Sequence, residues 1–146
     1  MNIMAKIKKV EEPAVAYQTV PYYDTMLLIR QLKSGVKFSN FLALAEDSPF
    51  TMSEWSQFLH LSERTMQRYR KENTPLGQPY SEIVLQIAQL FKFGVEVFGN
   101  KENFVEWLNS TNLALGKVKP KTLLDSSMGI GLVNDTLGRI QHGIIS

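Results

Sequence analysis

The sequence predicts an all-α protein, a bundle of about eight helices. Three observations carry this. Apolar residues recur at three- and four-residue spacing through most of the chain, helix start and stop signals bracket the stretches where they do, and strand-like alternation is poor throughout.

Residues 1–22 read as an irregular arm interrupted by Pro13 and Pro21. Tyr23 to Leu32 has helical apolar spacing and stops at Ser34-Gly35. Phe38 to Ala45 forms a second helix, closed by Asp47–Pro49. Thr51 and Glu54 match a capping box, the reciprocal pairing of a helix's first hydroxyl and a carboxyl three residues on, so a third helix runs from Thr51 to Leu59. Ser62 to Lys71 is a fourth. A loop holding Pro75, Gly77 and Pro79 follows, and Ser81 and Glu82 open a long apolar-rich helix reaching about Phe98. Gly99-Asn100 breaks the chain before a short amphipathic helix over Lys101–Ser110. Asn112 to Lys119 is a loop, and Pro120 to Asp125 is a single turn with proline at its start. Asp125 is placed to cap a last helix, Ser126 to about His142, which Gly129, Gly131 and Gly138 weaken. The loop near residues 73–79 is the best boundary. It divides the chain into the arm (1–22), a second region (23–76) and a third (77–146).

Composition narrows the function. With 44% hydrophobic and 21% charged residues the chain is ordinary for a soluble globular protein. No apolar run approaches the roughly 20 residues of a membrane span, so no membrane partner is expected. MNIMAKIKKVEEPAV has lysines but no apolar block behind them, so it is not read as a secretory signal. Without cysteine there is no disulfide or thiolate metal site, which fits a cytoplasmic protein. Catalysis is not expected. The histidines are His60 and His142, and neither H-E-x-x-H nor G-x-S-x-G occurs. Gly129-Ile130-Gly131 begins like a nucleotide loop, but Asn134 stands where the third glycine belongs. No cofactor or metal is expected.

The net charge of +2 implies no partner, but charge is concentrated locally. Within Ser62–Lys71, Arg64, Arg68, Arg70 and Lys71 face only Glu63, and such a stripe can dock phosphates on a nearly neutral molecule. MSEWSQFLHLSERTMQRYRK, Met52 to Lys71, has the offsets of a helix-turn-helix. Trp55, Leu59, Leu61, Met66 and Tyr69 take the inward positions, and Ser56 is small where the helices cross. His60 occupies the turn, where it must accept a left-handed or adjusted backbone. Ser62 is placed to cap the second helix and to meet a phosphate oxygen. Glu63, Arg64, Gln67, Arg68 and Lys71 are left facing out. Arg pairs bidentately with guanine, Gln with adenine, and Lys meets phosphate as a point charge. The expected DNA contacts are therefore Ser62, Arg64, Gln67, Arg68 and Lys71, unless the helix is simply a solvated one. Arg70 is free to pair with Glu54 or Glu72 instead.

The C-terminal half carries several ordered features: Trp107-Leu108, the N-x-A-L-G stretch Asn112–Gly116, the P-x-x-L-L-D run Pro120–Asp125, and L-G-R-I-x-H-G at Leu137–Gly143. EVFGNKEN lies upstream of the tryptophan, and the helix-turn-helix precedes it all. In this order and spacing, over about residues 40–146, they resemble the toxin-binding domain of the Xre/MbcA/ParS antitoxin family. The chain departs from that pattern at Lys117, where a second glycine is usual, and in SSMGIG, which replaces an acidic stretch.

The resemblance implies an antitoxin paired with a RES-domain toxin that consumes NAD. In that reading residues 77–146 form a toxin-binding domain that covers the toxin's active-site cleft, and the helix-turn-helix region packs against it and represses the pair from operator DNA. The residues expected at the toxin are Asn112, Gly116, Lys117, Arg139, His142, Gly143, Ile144, Ile145 and Ser146. Gly138 and Gly143 allow close approach, Arg139 offers five donors, and Ile144-Ile145 offer apolar anchors. Plainer roles stay open. Trp107, Leu108, Leu113, Leu115, Leu123 and Leu124 read first as core, Arg139 can hold an internal carboxylate, and His142 can favour a helix C-terminus. Two rivals also remain: a helix-turn-helix repressor with no toxin partner, whose C-terminal half dimerises, and an adaptor that has lost DNA binding. A homodimer is expected because two-fold operators reward paired recognition helices. Phe91, Val95 and Phe98 on the long helix are either core or dimer seam.

Overall fold

Residues 21–143 are described in the computed structural model, and every regular element among them is helical. In order they are α1 (Pro21–Ser34), α2 (Phe38–Asp47), α3 (Met52–Leu59), α4 (Glu63–Glu72), α5 (Gln78–Phe98), α6 (Lys101–Leu108), two 3₁₀ turns (Leu113–Leu115 and Pro120–Leu123) and α7 (Ser127–Gln141). The expected arm lies, up to residue 20, outside the described residues.

Among the boundaries that differ from the sequence reading, three have a clear local reason. Helix α1 opens at Pro21, where the sequence reading places an interruption; proline lacks an N–H that the first turn would leave unpaired anyway, so it is tolerated there. Helix α5 likewise begins at Gln78 with Pro79 in its first turn, so the preceding loop is shorter than expected. The cap of α7 is Ser126 rather than Asp125, its hydroxyl accepting from the Gly129 N–H at 3.0 Å.

Helix α5 is the spine. Ser81, Val84, Leu85, Ile87, Ala88, Leu90, Phe91 and Gly94 are buried along it, and α1, α3, α6 and α7 all pack against it. One continuous apolar core joins Phe41, Trp55 and Met66 on one side to Phe104, Ile130, Val133 and Leu137 on the other. Phe91 meets the Phe104 ring edge-on at 5.4 Å, and Phe98 lies against Phe104 and Trp107 at 5.9 and 5.6 Å. Phe91 and Phe98 therefore serve the chain's own core. Gly94 makes this packing possible, because a Cβ there would fall 2.2 Å from the Phe104 ring.

A single buried hydroxyl ties the loops before α2 and α5 to the start of α5. Ser81 Oγ accepts from the Val36 N–H at 3.0 Å and donates to the Leu76 carbonyl at 2.9 Å, while the Leu76 N–H donates to the Val36 carbonyl at 2.8 Å. Ser81→Ala strands a buried N–H and is expected to destabilise the fold by about 1–3 kcal/mol. Urea unfolding checks this; an unchanged midpoint would mean another group satisfies Val36.

Candidate functional site

The helix-turn-helix is built by caps at both of its starts. Thr51 Oγ1 accepts from the Glu54 N–H and Glu54 Oε1 accepts from the Thr51 N–H, each at 3.0 Å, so the expected capping box is complete. Ser62 Oγ accepts from the Thr65 N–H at 3.0 Å and opens α4. Between them His60 adopts φ 56° and ψ 36°, the left-handed conformation the turn demands. The Ser56 hydroxyl donates to the Leu61 carbonyl, closing the crossing point of α3 and α4. Trp55, Leu59, Leu61 and Met66 are buried and Tyr69 is half-buried against the core, all as their spacing implies. At the far end of α4, Asn73 takes φ 50° and its side-chain oxygen accepts from the Ser39 N–H at 3.1 Å.

This frame leaves Ser62, Glu63, Arg64, Gln67, Arg68, Arg70 and Lys71 exposed along α4. Among the described residues, none of the four cations is in an ion pair. The Arg68 guanidinium lies 5.5 Å from the Tyr69 ring centroid. Glu54, one of the two carboxylates within reach of Arg70 in sequence, instead pairs with Lys121 at 2.9 Å. Burial pushes the Glu54 carboxyl up, but hydrogen bonds from Lys121 and the Thr51 N–H, with the Lys121 charge, outweigh it and hold its pKa below the ordinary value.

The second candidate surface lies between the 3₁₀ turns and α7. Asn112 has internal work here: its side chain accepts from the Leu115 N–H at 3.2 Å, and its backbone exchanges bonds with Val118 and Lys117 at 3.0 and 2.8 Å. Gly116 and Lys117 follow with φ of 78° and 65°, so Lys117 holds a left-handed turn residue and stands exposed. Leu115 turns inward, but Leu113, expected in the core, is 78% exposed. The tight 3₁₀ turn, with three residues per revolution, cannot bury both. Of the other expected core positions, Leu108 and Leu124 are buried and Trp107 and Leu123 half-buried. Arg139, His142 and Gly143 are exposed at the end of α7, with Arg139 in no ion pair among the described residues. Ile144, Ile145 and Ser146 lie outside the described residues.

Sequence reasoning passes over two α7 residues. Met128 is 87% exposed and Leu132 43%, on the face opposite the buried Ile130, Val133 and Leu137. The signal is there to be read, because an apolar pair four residues apart on the far side of an already complete stripe has no core to enter. Val118 adds a further exposed apolar side chain in the same region. Gly131 and Gly138 open onto empty space, leaving backbone accessible along α7. Among the described residues no group of acidic, histidine or cysteine side chains is arranged to hold a metal ion, and no helix is long and apolar enough to cross a membrane.

Fold and surface together define a helix-turn-helix protein whose C-terminal half exposes several apolar side chains on the same core. Comparison with known proteins gives this class a family. Residues 27–89 match the model of the antitoxin Xre-like helix-turn-helix domain, and residues 94–143 that of the antitoxin Xre/MbcA/ParS C-terminal toxin-binding domain. The chain belongs to the Xre/MbcA/ParS-type antitoxins. It is 31% identical over 67 residues to an antitoxin Xre of Photorhabdus laumondii, covering 45% of each chain. It is 27% identical over 84 residues to an antitoxin Xre of Yersinia enterocolitica, covering 57% of each. The matched region is thus about half the length of these two relatives. A Prs ADP-ribosylating antitoxin of a Sphingobium strain is 29% identical over 140 residues, 90% of this chain and 88% of the relative.

Proposed function

We propose that this chain is the antitoxin of a type II toxin–antitoxin pair. Its region 77–146 binds and blocks the active site of a RES-domain, NAD-consuming toxin, and its helix-turn-helix region 23–76 binds operator DNA and represses the operon. The observation that carries the reading is the presence, on a single core, of an unpaired basic helix face and a set of exposed apolar side chains inside the toxin-binding match. A relative named for ADP-ribosylation supports the toxin chemistry, since ADP-ribose transfer draws on NAD. The chain acts by complementarity and turns over no substrate.

At DNA, Arg64, Gln67 and Arg68 read base edges while Ser62 and Lys71 hold phosphates, with the chain acting as a homodimer on a two-fold site. At the toxin, Leu113, Val118, Met128 and Leu132 supply apolar contact, flanked by Asn112, Gly116 and Lys117 on one side. Arg139, His142 and Gly143 flank it on the other, and Ile144, Ile145 and Ser146 add further contacts to the toxin. The apolar side chains are the anchors, since desolvated groups in the centre of an interface dominate binding.

Two measurements separate the halves. Arg64→Ala with Arg68→Ala is expected to weaken binding to the promoter fragment, and to flatten its dependence on log salt by about 0.9 for each phosphate no longer neutralised. A mobility shift identical to that of the wild type would remove α4 from the DNA interface. Met128→Asp with Leu132→Asp is expected to abolish protection of cells expressing the toxin from the neighbouring reading frame, while the promoter shift and melting temperature stay as they were. Full protection by this variant would place the toxin elsewhere.

A further inference from the structure

Helix α3 is gripped at both ends by residues of the C-terminal half that are far from it in sequence. At its first turn, Glu54 Oε2 pairs with Lys121 Nζ at 2.9 Å while Oε1 of the same carboxylate completes the capping box with Thr51. At the residue that follows it, His60 Nε2 donates to the Asp125 carbonyl at 2.7 Å. The acceptor is a carbonyl, so the neutral ring carries its proton on Nε2. Both grips come from the short run Lys121–Asp125. That run is stiff for its own reasons: Ser126 caps α7 directly after it, and Gly129 packs so tightly on the Leu123 carbonyl that a Cβ would fall 1.9 Å away.

We propose that this corner, from the second 3₁₀ turn into α7, is a bracket that positions the recognition helix α4, making His60 and Lys121 positioning residues for DNA binding. The inference rests on the DNA-binding reading above. Helix α4 follows α3 through His60, Leu61 and Ser62, so that turn aims the start of α4 as the Asn73–Ser39 contact fixes its end. A side chain with a Cβ is strained in the left-handed conformation that glycine accepts freely. The His60 ring contact offsets that cost and makes the turn report on the C-terminal half. Lys101 adds a parallel strut, its ammonium donating to the Asp47 carbonyl at the end of α2 at 2.9 Å. The helix-turn-helix is thus held in place by the partner-binding half rather than standing as a free module.

The test uses the full chain with His60→Gly, Lys121→Met, the double variant, and Lys121→Arg as the conservative control. Glycine keeps the turn's backbone and removes only the ring; methionine keeps the aliphatic stem and removes only the charge. Operator affinity across a salt series and amide hydrogen exchange of α4 without DNA are measured together. The double variant is expected to bind about tenfold more weakly with an unchanged salt slope, to exchange faster along α4, and to keep its melting temperature, while Lys121→Arg behaves as wild type. Unchanged affinity overturns the proposal. So does a slope flattened by about 0.9 in Lys121→Met, which marks a direct phosphate contact. Should the wild-type chain fail to bind its operator, the DNA reading fails by itself, and wild-type exchange rates along α4 in the double variant would still overturn the bracket.

Discussion

Everything in this molecule depends on α5 being buried from both sides. A helix with Val84, Leu85, Ile87, Ala88, Leu90 and Phe91 all removed from water cannot be covered by one neighbour. It needs α1 and α3 from one half of the chain and α6 and α7 from the other. Neither half owns a core without it. The consequence is geometric: α7 rests on α5 directly and α4 rests on it through α3, so the basic face of one and the exposed apolar side chains of the other are tied to the same spine.

Polar contacts then set the details that apolar burial leaves free. Hydrophobic contact is non-directional, so it holds α3 against α5, and α4 against α2 and α3, without fixing their rotation. The Ser81 hydroxyl, the Thr51–Glu54 box, the Ser62 cap and the Asn73 contact each add direction at one point. The Lys121–Glu54 and His60–Asp125 contacts do the same across the two halves. The Lys121–Glu54 pair is half-buried and still reached by water, which limits what it adds to stability and fits a role in orientation.

Much of this is legible in the sequence, and the reasons are local. The helix-turn-helix announces itself because its inward residues occur at helical offsets and its caps are side chains adjacent to the backbone they satisfy. A left-handed His60 follows from its position in the turn. Helix starts at Pro21 and Gln78 escape the sequence reading because proline breaks helices in the middle yet suits their first turn. Leu113 reads as core when apolar character is weighed without the geometry of a 3₁₀ turn, and Met128 and Leu132 go unnoticed because one stripe of α7 already accounts for its burial. The links from Lys121 to Glu54 and from Asp125 to His60 leave no local pattern. They join residues more than sixty positions apart and follow only from how the two halves meet on α5.

Two separate surfaces on one continuous core are proposed to serve two partners. Amide hydrogen-exchange footprinting of the full chain tests it most directly, once with operator duplex and once with the toxin. Protection is expected to centre on residues 62–71 with DNA and on residues 113–142 with the toxin, without overlap. Protection of one and the same segment by both partners would contradict it.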